Sequence, residues 1–271
     1  MKLNVITWNT FCSPSMYGRI KRKKNVCKLI KEFSKIAEIV ILQEITSFRI
    51  GKFHSSIYTK FKQLYNYSPL LLVLDYLSII EGKYFPGKVW NNHKDIINIG
   101  KKCGYKYSIA SPLPKNYLNS GLVILSKYPL RGIKYVKMEG DTIHIPGAII
   151  TKVNLGQDKE YEIGNVYFVP SLRNFKFSYI ICNIMNFFSE KKPIELRKQA
   201  VNALKEQVIG GKVIIGGDFN IKKNTIEYLE MLKTLNLKDS TKRNRIKNSN
   251  FLFIERQIDY ILTSIYSEMI Y

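Results

Sequence analysis

Apolar residues recur along the chain with the two periods that strands and helices require. Leu3 to Trp8 is an apolar, β-branched run that ends at a polar turn, which predicts a strand. The next apolar positions have the spacing of one buried helical stripe, with lysines on the other face: Val26, Leu29, Ile30 and Phe33. Ile39 to Leu42 is a short continuous apolar run, which is typical of a strand covered on both sides. The resulting order is strand, helix, strand.

The second half of the chain shows the same alternation. The predicted strands are Gly121 to Ser126, Gly147 to Leu155, Tyr161 to Val169, Val213 to Ile215 and Ile258 to Thr263. A helix is predicted from Arg197, with one apolar face and a stop at the glycine pair 210 and 211, and another from Thr225 to Leu235. The apolar face of the first of these helices comprises Ala200, Val201, Leu204 and Val208. Residues 48 to 118 are interpreted as a long insertion of helices and loops, broken at Pro86 and Gly87.

The chain is strongly basic. Its 271 residues carry 43 Lys and Arg against 21 Asp and Glu, a formal net charge of +22. Such a field attracts polyanions, namely nucleic acid, anionic lipid or phosphorylated small molecules, and the sign alone does not choose among them. Two basic runs mark where contact is expected, Lys21 to Lys24 and Lys242 to Lys247. The alternative is that these runs are solvated surface.

Composition also bears on domain organisation and compartment. An apolar share of 45% is sufficient for a large core, so we predict one domain over residues 1 to 271. Its four cysteines show neither a zinc-site spacing nor a disulfide framework, which fits a reducing compartment. No apolar run is long enough to span a bilayer, and no signal peptide is evident at the first residues. The expectation is a soluble intracellular protein, cytoplasmic or nuclear.

Acidic and amide residues stand where the predicted strands end. They are Asn9, Glu44, Asp218 and Asn220, with Asp259 in the last strand. Side chains at strand ends can converge on one rim of a sheet, and carboxylate and amide oxygens are the ligands that Mg²⁺ or Mn²⁺ prefers. Each residue alone has a simpler explanation, because Asn and Asp favour turns and caps. Together they predict a divalent-metal site, with Glu44 and Asp218 facing each other across a shared cleft.

Several short sequence motifs include the residues at these strand ends. In chain order they are WN at 8–9, LQE at 42–44, SGLVILSKYPL at 120–130, RKQ at 197–199, VIIGGDFN at 213–220 and IDYIL at 258–262. In this order they resemble the endonuclease/exonuclease/phosphatase superfamily, which includes deoxyribonuclease I, abasic-site endonucleases of the exonuclease III type, inositol polyphosphate phosphatases and neutral sphingomyelinases. The resemblance covers nearly the whole chain.

The resemblance implies a fold and a set of roles. The implied fold is a four-layer α/β sandwich, in which helices flank two central, mostly antiparallel β-sheets. Glu44, with help from Asn9, would hold the cation, and Asp218 would orient or deprotonate the attacking water. Asn220 would donate a hydrogen bond to the phosphorane, while Asn9 and Asn165 would contact the substrate. Asp259 resembles the residue that steadies a catalytic histidine, and Gly216 and Gly217 are expected to provide a tight turn.

Two departures from the family pattern complicate the function. The Ser-Asp-His motif has no match, and the three histidines, His54, His93 and His144, lie in other contexts. We therefore expect a C-terminally short domain in which Asp259 lacks its partner. Where many members have a histidine, NVYFVP at 165–170 places Tyr167, as in the exonuclease III type, whereas SGLVILSKYPL is closer to sphingomyelinases. Tyr167 is a candidate donor to phosphate, and packing in the core is the alternative.

Three hypotheses follow from the sequence. The first is a Mg²⁺-dependent phosphodiester hydrolase, with nucleic acid slightly favoured over sphingomyelin or inositol phosphate because of the charge. The second is a catalytically impaired pseudoenzyme that binds nucleic acid or an anionic lipid surface, and the third is the product of a broken reading frame. An aromatic loop at 170–194 is expected to border the site, where it could stack on a base or contact a membrane, and buried packing of its aromatic residues is the favoured alternative.

Overall fold

The structure is a computed structural model of the chain. It describes residues 3–10, 19–45, 47–51, 86–113, 119–140, 145–156, 159–170, 193–208, 211–241 and 259–264. The chain divides into two compact units, residues 1–130 and residues 131–271. The basic run at 242–247 and the aromatic residues of the loop at 170–194 lie outside the described residues. One domain over the whole chain stays a prediction.

The first unit contains a four-stranded sheet. Its strands, in the spatial order β1, β2, β6, β5, are β1 (Val5–Asn9), β2 (Ile39–Gln43), β6 (Val123–Ser126) and β5 (Tyr107–Ala110). The pair β1–β2 is parallel, and β2–β6 and β5–β6 are antiparallel. Helix α1 (Arg19–Ile36) connects β1 to β2, and its predicted stripe is confirmed, since Val26, Ile30 and Phe33 are buried in the core. All five residues of β2 are buried, as expected for a strand covered on both sides.

The predicted insertion at 48–118 is wrong in part. Within it the structure has an antiparallel pair of strands, β3 (Phe48–Gly51) and β4 (Pro86–Trp90), then helix α2 (Asn92–Lys102) and strand β5. Pro86, where a break was expected, is instead the first residue of strand β4. Proline is tolerated at the first position of a strand because its missing N–H is not needed there. Helix α2 begins after Asn91, whose side chain accepts a hydrogen bond from Lys94 N.

The second unit contains a six-stranded sheet. Its strands, in the spatial order β11, β12, β10, β9, β8, β7, are β11 (Lys238–Asp239), β12 (Asp259–Thr263), β10 (Val213–Asp218), β9 (Glu160–Tyr167), β8 (Gly147–Asn154) and β7 (Leu130–Lys137). The pair β9–β10 is parallel, whereas β8–β9, β10–β12 and β11–β12 are antiparallel. The α/β class, with two mixed and mostly antiparallel sheets and their helices, is therefore confirmed.

Two helices cover one face of this second sheet. They are α3 (Pro193–Gln207) and α4 (Ile226–Leu235). The predicted face of α3 is buried at Ala200, Val201 and Leu204, together with β-strand residues such as Ile215. The helix begins four residues before the predicted start, with a proline in its first turn, where the missing N–H leaves no helical bond unmade. Thr225 caps α4, because its side chain accepts from Tyr228 N.

Candidate active site

Asn9 and Glu44 meet at one edge of the first sheet. Asn9 is the last residue of β1 and pairs in register with Gln43, the last residue of β2, which Glu44 follows. Asn9 Nδ2 donates to Glu44 Oε1 over 3.0 Å, and both residues are buried, with exposed fractions of 4% and 8%. The strand ends are held together by Thr10, whose backbone N and Oγ1 both donate to Gln43 O. The predicted neighbourhood of these two residues is therefore present.

Glu44 has an unusual backbone. Its φ of 57° lies in the left-handed region, which costs a residue other than glycine roughly 1–2 kcal/mol. Such conformations persist only where the surrounding structure imposes them, and they cluster at functional sites. The strained residue directly follows Gln43, the last residue of β2. We take the strain as an independent sign that the position of Glu44 matters.

The donor set at this edge suits a hard cation. One carboxylate and one amide oxygen are the kinds of ligand that Mg²⁺ takes, and Mg²⁺ typically uses one or two protein carboxylates and keeps several waters. Asn9 donates through Nδ2, and its Oδ1 is the amide atom whose chemistry suits a cation. Within the described ranges, no three His, Cys, Asp or Glu side chains form a cluster that could hold a metal. The Asn9–Glu44 pair thus fits Mg²⁺ or Mn²⁺ in the chemistry of its donors.

In the second unit, three predicted residues lie in one row across the sheet. Asp218, the last residue of β10, is in register with Tyr167 at the end of β9 and with Asp259 at the start of β12. Residues that are directly opposite on neighbouring strands share a face of the sheet. Asp218 and Tyr167 are buried, with exposed fractions of 2% and 8%, and Asp259 is half-buried. We call Tyr167, Asp218 and Asp259 the carboxylate row.

Asn220 is fixed beside this row. Its backbone N donates to Asp218 Oδ1 over 2.9 Å, and its Nδ2 donates to Phe168 O over 2.8 Å. The φ of Asn220 is 51°, a left-handed conformation that asparagine tolerates better than most residues. The Asn220 side-chain amide has two N–H groups, one of which donates to Phe168 O. The second is the kind of donor that a phosphoryl oxygen can accept from. Asn165, two residues before Tyr167 on the same strand, is fully buried.

The expected tight turn at Gly216 and Gly217 is wrong, because both residues lie within β10. The need for glycine at 217 has another cause. A Cβ there would lie 2.2 Å from Val166 O and 2.9 Å from Val166 N and C. The backbones of β9 and β10 therefore approach too closely for any side chain at this position. This approach places Asp218 in register with Tyr167.

Arg197 supports the same edge in a way the sequence did not reveal. Its guanidinium forms a bidentate contact with Glu227, with Nε–Oε1 at 2.7 Å and Nη2–Oε2 at 2.9 Å, and its Nη1 donates to Val169 O over 3.2 Å. The side chain is only 3% exposed. It ties α3 to α4 and to the segment that follows Tyr167. The RKQ motif pointed to this arginine, but nothing local identified Glu227 as its partner.

Comparison with known proteins gives these groups a family. A model of the Endonuclease/Exonuclease/phosphatase family matches residues 6–266, so the chain belongs to this family. Members are generally metal-dependent hydrolases of phosphodiesters or phosphates. No curated protein matches the sequence.

Solved structures resemble the chain in fold at low sequence identity. A beta toxin variant from Staphylococcus aureus with bound magnesium ions matches with a TM-score of 0.56 and 16% identity, over 97% of this chain and 84% of that chain. Sphingomyelinase C from Streptomyces griseocarneus gives 0.55 and 14%, over 96% and 83%. A family protein from Leptotrichia buccalis gives 0.55 and 10%, over 97% and 88%. These likenesses confirm the predicted α/β sandwich fold.

The expectations about membrane spans and about the site are tested only in part. None of the helices that the structure describes is long and apolar enough to cross a membrane. The compartment, the partners and the roles of the individual residues stay predictions, as does the convergence of Glu44 and Asp218 on one cleft.

Proposed function

We propose that the chain is a Mg²⁺-dependent phosphodiester hydrolase that acts on nucleic acid. The carboxylate row carries this proposal, because it aligns Asp218 with Tyr167 and Asp259 at the end of β10, with Asn220 hydrogen-bonded to Asp218. A buried carboxylate held by its neighbours is suited to proton transfer, and the family's general chemistry supplies the reaction class.

Glu44 and Asn9 are the residues that would hold the cation. The hydrogen bond between Asn9 Nδ2 and Glu44 Oε1 fixes the carboxylate at the strand edge before any cation binds, so less conformational freedom is lost on binding. The chemistry that a divalent cation supplies in such a site is the withdrawal of charge from a phosphate oxygen. Magnesium bound to the structurally similar beta toxin supports the choice of this ion.

Asp218 is the proposed base for the attacking water. An ionised carboxylate has about four acceptor positions, so the bond from Asn220 N is compatible with a second bond from a water. Asn220 would donate its second amide N–H to the charge that develops on the phosphoryl oxygens, and the Tyr167 hydroxyl would donate to the same group. Asp218 would hold the proton that it takes from the water, and Asp259, opposite Asp218 in the sheet, would orient the protonated carboxyl group.

The positive charge favours nucleic acid over a neutral lipid headgroup. In addition to the net charge of +22, lysines line the solvent face of α1, where Lys24, Lys28 and Lys31 are exposed at helical spacing. Contacts between lysines and a phosphate backbone release counterions, so binding of this kind weakens steeply with salt. The alternative substrate is a phosphodiester lipid, which the likeness in fold to sphingomyelinase C brings into consideration.

The test is one purified sample assayed with Mg²⁺ against supercoiled plasmid, RNA, sphingomyelin vesicles and an inositol phosphate. Asp218→Asn is the matched control, because it keeps the size and polarity of the side chain and removes the base. We expect cleavage of DNA or RNA that requires Mg²⁺ and falls at least about 10²-fold in the control.

Two outcomes would overturn the proposal. Hydrolysis of sphingomyelin or inositol phosphate without nucleic acid cleavage would show that the substrate class is wrong. Salt-sensitive nucleic acid binding with no turnover of any substrate would instead identify a non-catalytic binding protein.

A further inference from the structure

The left-handed conformation of Glu44 raises the question of what imposes it. Ile45 and Ser47 follow the strained position, and the backbone N–H of each is bound to the segment that precedes β6. Ile45 N donates to Gly121 O over 2.8 Å, and Ser47 N donates to Asn119 Oδ1 over 2.9 Å. The same oxygen of Asn119 accepts from Gly121 N over 3.3 Å. Asn119 thus joins the two chain segments through one buried side chain.

His93, in the first turn of α2, contacts the same place from a third element. Its ring donates to the Ile45 backbone, and its Nε2 lies 3.4 Å from Asn119 Nδ2. Burial lowers the pKa of His93 to about 4, so the ring is neutral at neutral pH. A neutral imidazole has one donor and one acceptor nitrogen. The Ile45 carbonyl and the Asn119 amide use one each, which assigns the proton to Nδ1.

The amide of Asn119 is used just as completely. Its Nδ2 also donates to Pro112 O over 2.9 Å, and the side chain is 9% exposed. Ser47, fully buried, accepts from Asn92 N over 3.2 Å and so links α2 to the same segment. Ile45 and Ser47 are therefore fixed by contacts from α2 and from the segment that precedes β6, on separate parts of the chain.

We infer that His93 and Asn119 are positioning residues for the cation site: they hold Ile45 and Ser47 so that the Glu44 carboxylate stays beside Asn9. The inference rests on the proposed function, because it takes Glu44 as a ligand of the cation. Groups that orient a metal ligand from behind typically change metal affinity by about 10- to 100-fold when they are lost. A contact that served only stability would leave the affinity of the folded protein unchanged.

The experiment measures binding of Mn²⁺ and Mg²⁺ to the full chain by isothermal titration calorimetry, well below the melting temperature. His93→Leu and Asn119→Ala remove the two side chains, and we expect each to weaken binding by about 10- to 100-fold. His93→Asn keeps an N–H donor near the position of Nδ1, so its affinity should return toward that of the wild type. If Asn119→Ala does not fold, the comparison of His93→Leu with His93→Asn is sufficient to test the inference.

Ser126→Ala is the matched control. Ser126 is also buried, and its Oγ donates to Tyr128 O over 2.8 Å and accepts from Tyr128 N over 3.0 Å. It pairs with Ile39, at the opposite end of β2 from Glu44. We expect this change to lower the melting temperature and leave the dissociation constant for Mn²⁺ unaltered. Equal affinities in wild type, His93→Leu and Asn119→Ala would overturn the inference, as would a His93→Asn protein that binds as weakly as His93→Leu.

Glu44→Gln separates this inference from the proposed function. Loss of binding in Glu44→Gln with unchanged affinity in the His93 and Asn119 variants overturns the positioning role alone. Undiminished binding in Glu44→Gln, or no binding in the wild type, overturns the metal site of the proposed function and the inference with it.

Discussion

Replacing Gly217 by alanine adds one carbon atom at the closest approach of β9 and β10. That atom would lie 2.2 Å from Val166 O, whereas real Cβ atoms essentially never come within 3.0 Å of such a neighbour. The obstacle is backbone on a paired strand, so no side-chain rotation relieves it. The two strands must therefore separate, which strains the ladder and moves the adjacent Asp218.

Overpacking of this kind costs typically about 1–3 kcal/mol, and we expect the upper end because only backbone can yield. At a urea dependence of about 2–3 kcal/mol per molar, Gly217→Ala should lower the unfolding midpoint by about 1 M. Displacement of Asp218 by even about 1 Å should reduce turnover by about 10²-fold. The assays are urea unfolding followed by fluorescence and Mg²⁺-dependent cleavage of plasmid DNA.

Gly164→Ala on the neighbouring strand is the matched control. The nearest atoms to its Cβ would be side-chain atoms of Ile215, at 3.1 Å, rather than backbone. We expect it to cost less than Gly217→Ala, because the neighbour is a side chain rather than backbone and must give by only a few tenths of an ångström. A Gly217→Ala protein that unfolds at the wild-type midpoint, or at the midpoint of Gly164→Ala, would refute the reasoning.

Three further predictions concern stability. Arg197→Ala leaves the half-buried Glu227 without its bidentate partner and should cost about 1.5–3 kcal/mol in urea unfolding; a loss below about 0.5 kcal/mol would contradict this. The pKa of His93 is lowered from 6.5 to about 4 by burial, so the unfolded chain binds its proton first as pH falls. The free energy of unfolding should therefore decline by about 3 kcal/mol between those pH values, and His93→Leu should abolish that part of the decline. Thr225→Ala removes the cap of α4 and should cost about 1 kcal/mol, whereas Thr225→Ser should be nearly neutral in thermal unfolding.

Local patterns predicted the parts of the fold that depend on local physics. The stripe on α1 and the apolar run of β2 were read correctly, because period and continuity reflect burial of a single element. The pair β3–β4 was missed. Its strands are separated by the 34 residues between Gly51 and Pro86, and pairing over that distance leaves no local signal. Pro86 was misread as a break because its tolerance depends on being first in a strand.

The candidate site shows the same division. The predicted strand ends identified Asn9, Glu44 and Asp218 correctly as residues at or next to the end of a strand. A polar residue that follows an apolar run indicates where a strand ends. The left-handed backbone of Glu44 could not be predicted, because the segments that contact the neighbouring Ile45 and Ser47 are distant in the chain. The role of Gly217 was equally hidden, since it depends on a neighbouring strand rather than on its own turn.

The central claim is that Glu44 and Asp218 both serve one Mg²⁺-dependent hydrolysis. The direct test is a double-mutant cycle on kcat/KM for Mg²⁺-dependent plasmid cleavage by wild type, Glu44→Gln, Asp218→Asn and the double variant. Residues that act as a unit lose activity non-additively, so each single change should cost about 10²- to 10⁴-fold and the double change little more. Full multiplication of the two losses, or cleavage that persists in either single variant, would contradict the claim.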